Sequence, residues 1–97
     1  QIQDAGAAKE GKGHMTYSIV FSPQAQRQLD RLEKNVQERI LSSLDRIKVR
    51  PYDFVRKLSA YPYYRFRVGD YRLILDIRKN ELTIIVIEVG HRKNIYK

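Results

Sequence analysis

The stretch YPYYRFRVGDYRLIL spans Tyr61–Leu75. Two β-patterned runs flank Gly69-Asp70, a dipeptide suited to a tight hairpin turn. With those two residues as the loop, Val68 faces Tyr71, Arg67 faces Arg72, Phe66 faces Leu73 and Arg65 faces Ile74. Strand alternation then puts Arg65, Arg67 and Arg72 on one face, and Phe66, Val68, Tyr71, Leu73 and Leu75 on the other. Like charges directly opposite each other destabilise a sheet. A hairpin that clusters three guanidinium groups is therefore expected to meet an anion there.

Upstream, Tyr17–Phe21 (YSIVF) reads as a strand. Ser22-Pro23 is a helix start, with Ser as N-cap and Pro in the first turn. Ala25, Leu29 and Leu32 recur at helical spacing. Asn35 followed by Glu38 has the form of a capping box for a second helix. Val36, Ile40, Leu44 and Ile47 make its apolar stripe, with Leu41 beside it, and Pro51 stops it. The spacing predicts helices over Pro23–Leu32 and Val36–Lys48, packed as an antiparallel hairpin with both stripes in the core. Residues 51–62 read as a loop in which Tyr52, Phe54, Arg56, Lys57 and Leu58 alternate aromatic and basic character. Either this loop faces nucleic acid, or Phe54 and Leu58 pin it to the core.

Downstream, Lys79-Asn80 breaks the hairpin strand, and Leu82–Val89 (LTIIVIEV) is the last strand. It is apolar on both faces, as a central strand is. Glu88 interrupts the pattern. It either pairs with Arg72 across the sheet or serves as a carboxylate in the site. The tail GHRKNIYK leaves this strand carrying His91, Arg92, Lys93 and Tyr96, and strand ends are common homes for catalytic groups.

The expected fold is α+β: a strand, a two-helix hairpin and a three-stranded meander, forming a small antiparallel-rich sheet with the helices on one face. The 97 residues suit one small domain. Residues 1–14, with no hydrophobic period, read as an expression-tag or linker remnant and are expected to be disordered. Residues 15–97 are the single domain. With no cysteine there is neither a disulfide nor a thiolate metal site. No apolar run reaches the length of a membrane-spanning helix and no secretory signal is evident, so no membrane partner and a cytoplasmic location are expected.

The net charge of +8 is segregated. Residues 16–45 carry four basic and four acidic side chains, whereas residues 46–97 carry 13 basic and 5 acidic ones. Much of the surplus is arginine, whose fork suits phosphate better than a point charge does. A polyanion, most simply nucleic acid, is the leading partner; a solvated basic surface is the plain alternative. A metal site lacks ligands, a nucleotide site lacks a glycine-rich phosphate loop, and a serine triad lacks a supported Ser–His–Asp set. No cofactor is expected. Metal-free cleavage of RNA fits what remains. The 2′-hydroxyl is the nucleophile, arginines stabilise phosphate charge, and His91 or Tyr96 moves protons.

The order of elements resembles the RelE/ParE toxins of toxin–antitoxin pairs over nearly all of residues 16–97. The pieces that carry the resemblance are FSPQAQRQLDRL, YRFR, DYRLIL and VGHRKNIYK. It implies a RelE-like, microbial-ribonuclease-type fold. It also implies a ribosome-dependent endoribonuclease that cuts messenger RNA in the A site, without metal, by attack of the 2′-OH. In that pattern Arg65 and Arg67 fall at paired basic positions, Arg72 matches the arginine that contacts the scissile phosphate, Arg92 matches the arginine after the last strand, and Tyr96 stacks on a base or assists proton transfer. His91 holds a polar position. The implied partners are a cognate RelB-like antitoxin, the ribosome with mRNA in its A site, and operator DNA only through the antitoxin. Ile84 and Val86 are either antitoxin contacts or core. Where the best-studied RelE pattern has two lysines on the YRFR strand, one of them a proposed base, this chain has Arg65 and Arg67. An arginine does not readily give up its proton, so the search for a base moves to His91 and Tyr96. The alternatives are a ParE-type poison of DNA gyrase on the same fold, and a non-catalytic basic binding module.

Overall fold

The computed structural model of the protein describes residues 16–91; residues 1–14, read as a tag remnant, and the site candidates Arg92 and Tyr96 lie outside them. In chain order the elements are β1 (Ser18–Phe21), α1 (Pro23–Asp30), α2 (Lys34–Arg46), a 3-10 turn at Pro51–Asp53, β2 (Arg56–Lys57), β3 (Tyr64–Val68), β4 (Tyr71–Arg78), a 3-10 turn at Lys79–Glu81, and β5 (Thr83–His91). The strands form one sheet in the order β1-β5-β4-β3-β2. Only β1 pairs in parallel, with β5; the chain between them crosses by α1–α2 to the far edge of the sheet and returns through β2, β3 and β4.

The β3–β4 hairpin has the predicted register, with Val68 opposite Tyr71 and Arg67 opposite Arg72. Gly69 takes φ +59°, a conformation that costs glycine no steric strain. α1 starts as its sequence dictates: Ser22 Oγ accepts from the Ala25 N–H at 3.0 Å. α2 departs from expectation. Its N-cap is Glu33, which makes no side-chain cap bond, and Asn35 lies inside the helix. Instead of an Asn35–Glu38 box, Gln37 Nε2 donates to the Leu32 carbonyl at 2.9 Å, closing the end of the preceding turn. Both helices end short of the predicted limits, at Asp30 and Arg46.

Ala25 and Leu29 of α1, with Ile40 and Leu44 of α2, pack with Phe66, Leu73, Leu75, Ile84, Val86 and Val89 in one core. Burying one such aliphatic side chain contributes about 1.5–3 kcal/mol. An N-cap contributes about 1 kcal/mol, so burial outweighs the missing cap of α2. Ile84 and Val86 are fully buried beneath the helices, which resolves them as core rather than as a partner surface.

Two features of the sheet were absent from the sequence reading. β2 extends the sheet by an edge strand within the stretch read as loop, with Arg56 opposite Arg65 and Lys57 opposite Tyr64. Phe54 does not pin that stretch, being half-exposed; the buried Pro51 and the partly buried Val55 do. Second, the β4–β5 register slips: Ile74 faces Glu88, but Leu75 faces Val86, leaving Ile87 as an extra residue. This is a β-bulge, which reverses the alternation of everything beyond it. β5 also runs two residues further than expected, through Gly90 and His91.

Candidate functional site

The face of the sheet away from the helices carries the arginines. β3 projects Arg65 and Arg67 from it, and β4 projects Arg72 and Ile74, as alternation requires. The edge strand adds Arg56, directly opposite Arg65. Four guanidinium groups therefore form two cross-strand like-charge pairs, Arg56–Arg65 and Arg67–Arg72. In the sequence Arg56 is one basic residue of an aromatic-basic stretch. It joins the site because the unpaired edge of β3 recruits a short strand, which two basic residues do not announce. Arg67 and Arg56 are exposed, Arg65 is half-buried, and Arg72 is only 8% exposed, with Nε and Nη1 withdrawn from solvent. Asp76, further along β4, is engaged by Arg78, whose Nε lies 3.1 Å from its Oδ2.

Beside these arginines lies an open concavity of about 780 Å³. Arg65, Arg72, Ile74 and Glu88 line it from the sheet, and Tyr61 and Tyr63 from the connection between β2 and β3. That connection is closed by the Leu58 N–H donating to the Tyr63 carbonyl at 3.0 Å. Tyr61 is 62% exposed, so an aromatic face is offered to solvent above a basic floor. Behind it, Tyr52 packs edge-on to Tyr64 with ring centroids 5.4 Å apart. Burial raises the Tyr52 phenol above its ordinary value, as do the nearby Tyr17 and Tyr64 phenols and a hydrogen bond with Tyr17. A basic floor and an aromatic wall are the two parts of a single-stranded nucleic-acid groove: phosphates meet guanidinium groups and bases stack on rings.

The structure brings Arg65, Arg67 and Arg72 together. It does not bring His91 to them. His91 stands opposite Tyr71 in the β4–β5 ladder and meets it edge-on, ring centroids 5.3 Å apart. Alternation places both rings on the face opposite Arg72. Glu88 goes the other way. Gly90, not Glu88, stands opposite Arg72, so the expected direct cross-strand pairing is replaced by a diagonal relation. No group of three or more metal-ligating side chains occurs among the described residues. Nor is any helix there long and apolar enough to cross a membrane.

Comparison with known proteins adds identity to this geometry. Residues 19–96 match the family described as "ParE toxin of type II toxin-antitoxin system, parDE". Toxin RelE3 of Methanocaldococcus jannaschii is 46% identical over 43 residues, a stretch covering 43% of this chain and 47%, about half, of that relative. The archaeal RelE–RelB complex of Pyrococcus horikoshii contains a chain of similar structure, with TM-score 0.69, 29% identity, and coverage of 80% of this chain and 97% of that one. The RelBE2 toxin–antitoxin complex of Mycobacterium tuberculosis gives TM-score 0.75 at 22% identity, covering 80% and 93%. A mutant Escherichia coli RelE in the free state gives 0.72 at 23%, covering 84% and 88%. These last two share the fold. An α+β sheet with two helices on one face, matched to a toxin family over most of its length, places the chain in the RelE/ParE superfamily of type II toxin–antitoxin toxins.

Proposed function

We propose that this toxin is a metal-independent endoribonuclease that cuts messenger RNA in the ribosomal A site and thereby stops translation. The observation that carries the reading is the arginine-floored, tyrosine-walled concavity on the face free of helices. RNA brings its own nucleophile, the 2′-hydroxyl, so the protein need only align it, stabilise phosphate charge and move protons. Arg72, Arg65 and Arg67 hold the phosphate, and the family resemblance adds Arg92 to them. Tyr96 and His91 are the proton-moving groups that the family resemblance offers. Of the two, His91 lies on the face of the sheet opposite Arg72, with Tyr71. The products are a 2′,3′-cyclic phosphate and a 5′-hydroxyl.

The Pyrococcus horikoshii and Mycobacterium tuberculosis relatives come from toxin–antitoxin complexes, which supports a cognate RelB-like antitoxin for this chain. Contact with operator DNA follows only through that antitoxin. The matched family description is ParE, and this favours a second reading, inhibition of DNA gyrase, because a shared fold does not carry a shared target. Incubation with programmed ribosomes and mapping of cut sites separates the two. Cleavage by the wild type is expected, with Arg72→Ala and Arg92→Ala each lowering it by about 10²–10³-fold, the usual cost of removing a charge-stabilising donor. No cleavage, together with inhibited supercoiling, moves the protein to the gyrase reading.

A further inference from the structure

β5 carries an acidic side chain in an otherwise apolar run. Ile84 and Val86 point into the core, and strict alternation would send Glu88 after them. The extra residue at Ile87 prevents this: Val89 takes the core position opposite Leu73, and Glu88 turns to the arginine face opposite Ile74. The bulge is tied down on both sides of Glu88. Ser22 Oγ donates to the Ile87 carbonyl at 3.0 Å, and the Val89 N–H donates to Gln28 Oε1 at 2.7 Å. Both partners come from the start and body of α1, which takes over where β1 no longer pairs with β5. Bulges next to active sites re-aim side chains in this way.

Arg72 and Ile74 from β4, Arg65 from β3, and Tyr61 and Tyr63 from the connection after β2 line the concavity with Glu88; Lys57 also borders it, its Nζ lying over the Tyr64 ring at 5.9 Å from the centroid. Glu88 is the one carboxylate among the described residues lining the concavity. It is a diagonal neighbour of Arg72, a separation of roughly 7–8 Å that long side chains span. Guanidinium and ammonium groups can only donate hydrogen bonds, whereas a carboxylate accepts them. The geometry points to Glu88 as the general base of this site, an assignment that rests on the endoribonuclease reading above. Its carboxylate takes the proton of the 2′-hydroxyl. The 2′-oxygen forms its bond to phosphorus as the bond from phosphorus to the 5′-oxygen breaks, and the 5′-oxygen takes a proton from water. Glu88 then releases its proton to solvent, so the transesterification balances with no further reactant.

The test is single-turnover cleavage of mRNA on programmed ribosomes as a function of pH, for wild type, Glu88→Gln, Glu88→Asp and Arg72→Ala. Glu88→Gln is expected to lower the cleavage rate by about 10²-fold or more, to leave ribosome binding unchanged, and to abolish the acidic limb of the pH–rate profile. Glu88→Asp is expected to keep that limb at reduced rate. Thermal melts matching the wild type exclude loss of fold. A Glu88→Gln enzyme that cuts at the wild-type rate, or that is slower but keeps the acidic limb, overturns the assignment while active wild type and inactive Arg72→Ala leave the nuclease reading standing. A wild type that cuts nothing overturns both.

Discussion

Gly69 shows how one residue holds the hairpin. Its φ of +59° disfavours any side chain, and a Cβ there would lie 3.1 Å from Nη1 of Arg39, which reaches over the turn from α2. The arginine head can give way by a few tenths of an ångström; the backbone cannot. Gly69→Ala is therefore expected to destabilise the protein by about 1–2 kcal/mol, read as a lower urea midpoint with an unchanged slope. Tyr52 makes a pH-dependent contribution of a different kind. Its phenol titrates higher in the folded protein than in the unfolded chain, chiefly through burial. The folded state thus binds more protons in the alkaline range. This stabilisation is complete below the ordinary phenol range and is lost as pH rises through the higher folded value. Tyr52→Phe is expected to flatten the alkaline fall in stability, measured by denaturant unfolding at successive pH values.

Among the elements, α1 does more than cover the core. Ser22 both caps the helix and donates to the Ile87 carbonyl. Ser22→Ala removes both bonds, leaving the Ala25 N–H and the Ile87 carbonyl without these partners. The expected loss is about 1–2 kcal/mol, at the upper end for a cap. A threonine replacement, which keeps the hydroxyl, should recover most of it in the same thermal or denaturant melt. The cap was legible because Ser-Pro before an apolar helical period has few other readings. The bond to β5 was not, because it depends on where β1 stops pairing. The same holds for α2. Its apolar stripe is plain in the sequence, but its N-terminus is not, because Asn35 and Glu38 satisfy a local capping pattern that Gln37 and the tight Arg31–Glu33 connection override.

Across the whole molecule, four arginines of the basic half, Arg56, Arg65, Arg67 and Arg72, come to share one face of the sheet. Arg56 belongs to it, although its strand is two residues long. Arg56→Ala is expected to weaken binding of single-stranded RNA uniformly across sequences, and to lower the slope of log affinity against log salt by about 0.7, one phosphate contact on a single strand. An unchanged slope in filter-binding or fluorescence titrations would remove Arg56 from the interface. Both helices, four of the five strands, the hairpin register and the arginine face were legible in the chain, because turn chemistry, helical period and strand alternation are local rules. Tertiary structure alone decided three things. It paired Arg56 with Arg65, because an open sheet edge recruits whatever backbone lies beside it. It sent His91 to the Tyr71 face and turned Glu88 towards Arg72, because one extra residue in β5 reverses every side chain after it. That slip is set by how β4 and α1 grip β5 together, and no short stretch of the chain contains it.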